Sequence, residues 1–400
     1  MNTLKLTDDL YWNGIQDPQL RTFDIIMETK YGTSYNSYIL KGSEKTVLIE
    51  TAKLKFYDIY KKKLDELIDI KDIDYIIVNH TEPDHAGSIE HLLDINPNIQ
   101  IVGTNAAINF VKQIVNHDFK SIVVKDNDTL SLGDKTLRFM PLPNLHWPDT
   151  MYTFWEEGHV LFTCDSFGAH YSHPQVLRST VTDVDGYLSA AKYYFDNIIG
   201  PYKSPFMTNA LERIKDFKID MICTGHGPVL DSNIKEIIEL NKEWCKSNNT
   251  NTKKTVIVPY VSAYGYTESL AKSIKSGIEA SGDIDVRLYN METADKAHVV
   301  EELGYCDGML MGTPTILGDA LEPIWQLTLC MCSAVHKGKL ASAFGSYGWS
   351  GEGVPNIIAR LTQLKLKVID GFRIKLKPSA TELDEAFAFG KNFGEQLLNK

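Results

Sequence analysis

The sequence predicts an α/β protein in two parts, a layered α/β domain followed by a doubly wound parallel sheet. Three observations carry this. The chain has 400 residues, too many for one ordinary core. The stretch Lys246–Lys254 (KSNNTNTKK) is polar and asparagine-rich, and it reads as a linker. Beyond it, strand and helix signals alternate five times in about 145 residues, the pattern of a parallel sheet with helical crossovers. The domains expected are residues 1–250 and 251–400.

Hydrophobic content of 43% and charged content of 23% are those of a globular chain. A net charge of −11 argues against binding nucleic acid or an anionic membrane surface. Met1–Tyr11 has no secretory character, and no apolar run reaches the roughly 18 residues of a membrane span. Six cysteines without a CxxC pair argue against a disulfide framework and against a cysteine-rich metal knot. A reduced, cytoplasmic enzyme is expected.

In the first part, two apolar runs in Ser37–Glu50 flank Lys41-Gly42-Ser43-Glu44 as a hairpin. Strands are expected at Asp74–Val78, Gln100–Gly103, Thr136–Pro141, Thr153–Trp155, Val160–Cys164 and Met221–Thr224, with helices from Ser88 and through Ala106–Val115. In the second part the strands are Thr255–Pro259, Asp285–Tyr289, Gly308–Gly312, Ala341–Gly345 and Lys367–Ile369. Helices are expected at Thr267–Ala280, Leu321–Ala334, Val354–Leu364 and Glu382–Leu398.

The densest chemistry is His80-Thr81-Glu82-Pro83-Asp84-His85, directly after a strand. In an extended chain His80, Glu82 and Asp84 share one side, and a turn at Pro83 brings His85 round. Such a cluster is either a solvated polar loop or a metal site, and its density favours metal. His146, Asp165 and His226 each follow a strand in the same part. Singly they read as core-edge histidines or a turn aspartate; jointly they point to one sheet edge. Cys164 and Cys223 are expected to pack in the core, Cys164 on the face opposite Asp165.

This set resembles the metallo-β-lactamase fold, whose motif HxHxDH is followed by distant His, Asp and His. Glu82 in place of the second histidine resembles the flavodiiron family, as do the spacings of 19 and 61 residues from His146 to Asp165 to His226. The resemblance implies an αββα sandwich with two irons. One would be held by His80, Glu82 and His146, the other by Asp84, His85 and His226, with Asp165 bridging. Four imidazoles and three carboxylates without a thiolate suit iron or manganese better than zinc.

The second part carries three loops after successive strands. Ser262-Ala263-Tyr264-Gly265-Tyr266-Thr267 offers hydroxyls and free amides at a helix start, with Ser269 one turn on. It suits either a phosphate or simple N-capping. No Lys or Arg lies between Pro259 and Ala271, so an anion there is held by neutral donors. Thr313-Pro314-Thr315-Ile316 follows the third strand, and Ser346-Tyr347-Gly348-Trp349-Ser350-Gly351 the fourth. Tyr347 and Trp349 could stack on an aromatic ring; otherwise Trp349 is a surface aromatic. These loops resemble the flavodoxin pattern and imply FMN on a five-stranded parallel sheet. Many relatives have Asn after the PT of the second loop, whereas Ile316, Leu317 and Gly318 stand here, a departure from the pattern that would supply polar contacts to the ring edge.

The combined resemblance implies an oxidoreductase reducing O2 to water, NO to N2O, or both. Two ferrous ions and one reduced FMN together hold four electrons, the number O2 needs. It also implies an external donor such as rubredoxin or a reduced deazaflavin, and a head-to-tail homodimer or dimer of dimers. Tyr194, with Tyr193 as the alternative, is the candidate hydroxyl beside the metals, and Trp147 a candidate lining residue. His91, His170 and His173 are expected to be ordinary surface or core histidines. The competing reading is a zinc hydrolase of the metallo-β-lactamase type, which leaves the second part unused.

Overall fold

A computed structural model of the chain describes residues 3–247 and 249–399. Met1, Asn2, Asn248 and Lys400 lie outside the described residues, so one linker position and both outer ends of the expected domains do too. The chain forms two compact units, Met1–Ser247 and Asn248–Lys400.

The first unit is built on two sheets. One runs in the order Leu4–Lys5, Leu10–Trp12, Tyr38–Lys41, Thr46–Ile49, Tyr75–Ile77, Gln100–Gly103, Lys120–Val123. The other runs Thr129–Ser131, Thr136–Pro141, Met151–Trp155, Val160–Cys164, Met221–Thr224. Strand alternation sorts their apolar residues into separate layers. Ile77, Val102, Phe139 and Phe162 pack together between the sheets. Their chain neighbours Ile76 and Ile101 face the helices Tyr57–Leu67, Ile89–Ile95 and Asn105–Val115. Leu161 faces the helices Val184–Tyr194, Thr208–Ile214 and Ile234–Cys245. The result is the four-layer αββα sandwich.

The second unit is a parallel sheet in the order Ile284–Asn290, Lys254–Tyr260, Gly308–Gly312, Leu340–Tyr347. The fifth position is divided between two short strands, Lys367–Val368 and Phe372–Lys375, both parallel to Leu340–Tyr347. The chain reverses direction across the sheet between Lys254–Tyr260 and Gly308–Gly312, the place where such folds bind ligands. The single helix expected over Leu321–Ala334 is two, Glu322–Leu329 and Ser333–His336. Cys332 between them is extended, and the His336 ring bonds its backbone.

Two packing details set local stability. Helices Tyr266–Ser281 and Ala380–Leu398 meet through glycines: a Cβ on Gly390 would lie 2.1 Å from the carbonyl oxygen of Ile274. Lys63 is buried, its ammonium 4.0 Å from the Trp12 ring centre and donating to the Gly14 carbonyl. It ties the N-terminal strand to the helix Tyr57–Leu67.

Gly390→Ala should destabilise the second unit by about 1–3 kcal/mol, since a backbone oxygen has to move. Calorimetry should show that transition shifting while the first unit's stays put. Burial lowers the Lys63 pKa to about 8 from 10.5. Between those values the unfolded chain binds the extra proton, so first-unit stability should rise with pH from about 8 to 10.5 and flatten below. Lys63→Met should remove that slope in denaturant titrations.

Candidate functional site

The loop after Tyr75–Ile77 is anchored by Glu50, whose Oε1 accepts from the Asn79 amide at 2.7 Å. His80 and Glu82 lie in the irregular stretch after that strand, and Pro83–Ala86 is a helical turn. The expectation that Asp84 shares an extended face with His80 and Glu82 is therefore corrected. Proline's fixed φ suits the first helical position, so the chain coils at Pro83 and swings Asp84 and His85 elsewhere.

His146 is reached through a cis Leu145–His146 peptide. Asp165 stands at the end of Val160–Cys164, where pairing with Met221–Thr224 shifts register and Cys164 takes φ +46°. This backbone turn undoes the expected alternation: Cys164 Sγ lies beside the site, within 4.8 Å of donor atoms of Glu50 and His85. His226 follows Gly225, whose side is filled by neighbours; a Cβ there would sit 2.8 Å from His85 Cε1.

These pieces make two groups. Donor atoms of His80, Glu82, His146 and Asp165 lie within 4.8 Å of one another, as do those of Asp84, His85 and His226. Asp165 reaches both. Its Oδ2 is 2.9 Å from His146 Nε2 and 3.7 Å from His80 Nε2. Its Oδ1 is 3.0 Å from His85 Nε2 and 3.5 Å from His226 Nε2. Glu82 Oε2 is 3.2 Å from His80 Nε2 and 3.3 Å from His146 Nε2, and Asp84 Oδ2 is 3.3 Å from His226 Nε2. All four histidines thus turn Nε2 toward carboxylates. His226 does so because its Nδ1 is bonded to the Ser34 carbonyl at 2.6 Å.

The electrostatics are those of a site built for cations. Burial works to raise the Asp165 carboxyl, yet His85 and His146 hold it well below the carboxylate range. Burial works to lower His85, yet Asp84 and Asp165 push it up to about 10. His80, buried too, is raised by Asp149 and Glu82. Anionic carboxylates in an apolar interior thus require positive charge, which protons on the imidazoles supply. A pair of divalent metals would supply it instead. Both oxygens of Asp84 and Nε2 of His85 are buried and, though close to His226 and Asp165, make no well-directed hydrogen bond, as donor atoms awaiting a metal would.

Several neighbours escaped the sequence reading. His170 is buried, not ordinary: its ring lies 5.2 Å from that of His226 and 4.8 Å from that of Tyr194. Burial and then His226 lower its pKa to about 3. The two-residue strands Thr22–Phe23 and Met27–Glu28 form a hairpin whose Phe23 packs on His170 and His226. Strands that short carry no period to detect. Tyr194 is buried with an unpartnered hydroxyl, whereas Tyr193 is 42% exposed. Trp147 stands edge-on to His80 at 5.1 Å. His173 bonds Thr180, and His91 is half-buried beside Asp94.

In the second unit a cavity of about 310 Å³ opens between the three loops. Tyr264, Tyr266, Pro314, Thr315, Ile316, Ser346, Tyr347, Gly348, Trp349 and Ser350 line it, together with Leu317, Gly318 and Leu376. Ser262, Ala263, Gly265, Thr267, Thr313 and Gly351 do not face it. Ser262 Oγ accepts from the Glu268 amide, Ser269 Oγ donates to the Gly265 carbonyl, and Thr267 pairs with Ser346. Thr313 Oγ1 accepts from the Leu321 amide. Trp349 is 89% exposed and Tyr264 79% exposed, so a wide apolar rim has no cover within this unit. That rim fits a flat aromatic ligand.

A family model described as ODP family beta lactamase matches residues 33–227, and one described as flavodoxin matches residues 258–390. The chain is 40% identical to the flavo-diiron protein FprA2 of Clostridium acetobutylicum, over 99% of this chain and 100% of that one. It superposes on the flavodiiron protein of Giardia intestinalis with a TM-score of 0.65 at 28% identity, covering 100% and 97% of the two chains. The fold is shared as well by rubredoxin oxygen:oxidoreductase of Desulfovibrio gigas, with a TM-score of 0.68, 24% identity and coverage of 100% and 99%.

Ferrous iron added anaerobically to metal-free protein at a hundred times its Kd should stabilise the first unit by about 2.7 kcal/mol for each site filled. Asp165→Asn should remove most of that gain and Tyr193→Phe none, as read by calorimetry.

Proposed function

The chain belongs to the flavodiiron protein family, and on that premise we propose that it is an oxygen reductase, a nitric oxide reductase, or both. When bound, FMN and a pair of irons supply the electrons that take O2 to water or NO to N2O. The observation that carries the reading is Asp165, with one carboxylate oxygen facing each of two histidine–carboxylate groups. His80, Glu82 and His146 would hold one iron, and Asp84, His85 and His226 the other. FMN would lie in the cavity lined by Tyr347 and Trp349. Relatives that match across both units favour this over a zinc hydrolase, which has no use for the second unit.

The chain's own residues shape the reaction space. Phe23, Tyr35 and Tyr194 pack their rings around His226 and exclude water from that side. His170 is neutral near pH 7, because burial keeps it so, and adds no competing charge. Burial and then Asp165 hold the Tyr194 phenol well above its usual pKa, so it keeps its proton. Its unpartnered hydroxyl is the group offered to a small molecule beside the metals.

The electron donor we propose is external, such as a rubredoxin or a reduced deazaflavin. The working form is a head-to-tail homodimer or a dimer of dimers in the cytoplasm. Among the described residues no helix is long and apolar enough to cross a membrane.

Anaerobically purified protein should contain about two irons and one FMN per chain. Its reduced form should oxidise within one stopped-flow shot of O2 or NO. Zinc in place of iron, or no reaction with either gas, would defeat the proposal. Trp349→Ala should weaken FMN binding about threefold to tenfold, the worth of one aromatic stack, in a flavin fluorescence titration.

A further inference from the structure

Asp149 stands outside the seven proposed ligands, in the turn between Trp147-Pro148 and the strand Met151–Trp155. It is fully buried. One oxygen, Oδ2, accepts from the Thr81 amide at 2.7 Å and from the Thr81 hydroxyl at 2.7 Å. The same oxygen lies 3.3 Å from His80 Nδ1. Its main-chain carbonyl accepts from Thr104, which caps the helix Asn105–Val115. Both ends of the residue are therefore fixed, and the carboxylate is aimed at the back of His80.

The other histidines are supported differently. His226 Nδ1 bonds a neutral acceptor, the Ser34 carbonyl. His85 Nδ1 makes no hydrogen bond, although the buried Glu50 carboxylate comes within 4.8 Å of a His85 ring nitrogen. A carboxylate behind an imidazole fixes the Nδ1–H tautomer and makes Nε2 a stronger donor than a carbonyl does. His80 Nε2 in turn faces Glu82 Oε2 at 3.2 Å. The two halves of the centre are thus unequal in their support.

On the di-metal reading above, we propose that Asp149 is a positioning residue that locks His80 and makes the His80–Glu82–His146 position the tighter of the two.

The test uses iron-loaded, FMN-loaded full-length protein and an anaerobic ferrous chelator, with Mössbauer spectra of 57Fe-loaded samples. In Asp149→Asn, one iron of the two should leave about tenfold to a hundredfold faster, and one of two resolved iron signals should change. Thr81→Val keeps the carboxylate but removes the hydroxyl that aims it. It should shift the same iron by less, and it serves where Asp149→Asn does not fold. Asp149→Glu should restore part of the retention. Equal acceleration of both irons in either variant would mark a merely structural role and overturn the proposal. Release and spectra identical to the parent would overturn it as well. A parent protein without iron would bring down the di-metal reading itself. A parent with two irons and indifferent variants would sink only the role of Asp149.

Discussion

The structure depends on one buried carboxylate. Asp165 sits in an apolar interior with two imidazoles drawn to each of its oxygens. An isolated charge there would cost several kcal/mol, so everything around it is arranged to answer it. The register shift that ends Val160–Cys164 frees the backbone to present it. Gly225 leaves room for His85. The helical turn at Pro83 splits one six-residue motif between two groups. The sandwich supplies the rigid sheet edges from which each of these side chains projects.

The second unit meets the opposite requirement. Its cavity needs flat apolar contact and little charge, and its rim is correspondingly rich in Tyr, Trp and Leu. Two hydroxyls of the first loop bond the backbone at the helix start: Ser262 Oγ accepts from the Glu268 amide, and Ser269 Oγ bonds back to the Gly265 carbonyl.

Most long elements were legible because burial imposes a period. Gln100–Gly103, Thr136–Pro141 and Gly308–Gly312 have the bounds their apolar runs predict. The seven candidate ligands were legible for another reason: residue types with few structural uses recur at strand exits. What stayed hidden were groups whose importance is spatial. His170 looks ordinary in sequence and is wedged between Tyr194 and His226. Glu50 and Asp149 are carboxylates on unrelated segments, visible only once the fold brings them behind His85 and His80. Cys164 was assigned to the far face because alternation was assumed to continue past the point where the strand unwinds.

The absence of lysine and arginine from the loop Val261–Leu270 has a practical side. An anion gripped by backbone dipoles and helix-end amides releases few counterions on docking, so ionic strength has little leverage over it. A chain of this kind would hold its coloured cofactor through salt washes and ion-exchange columns that strip proteins relying on ammonium or guanidinium clamps.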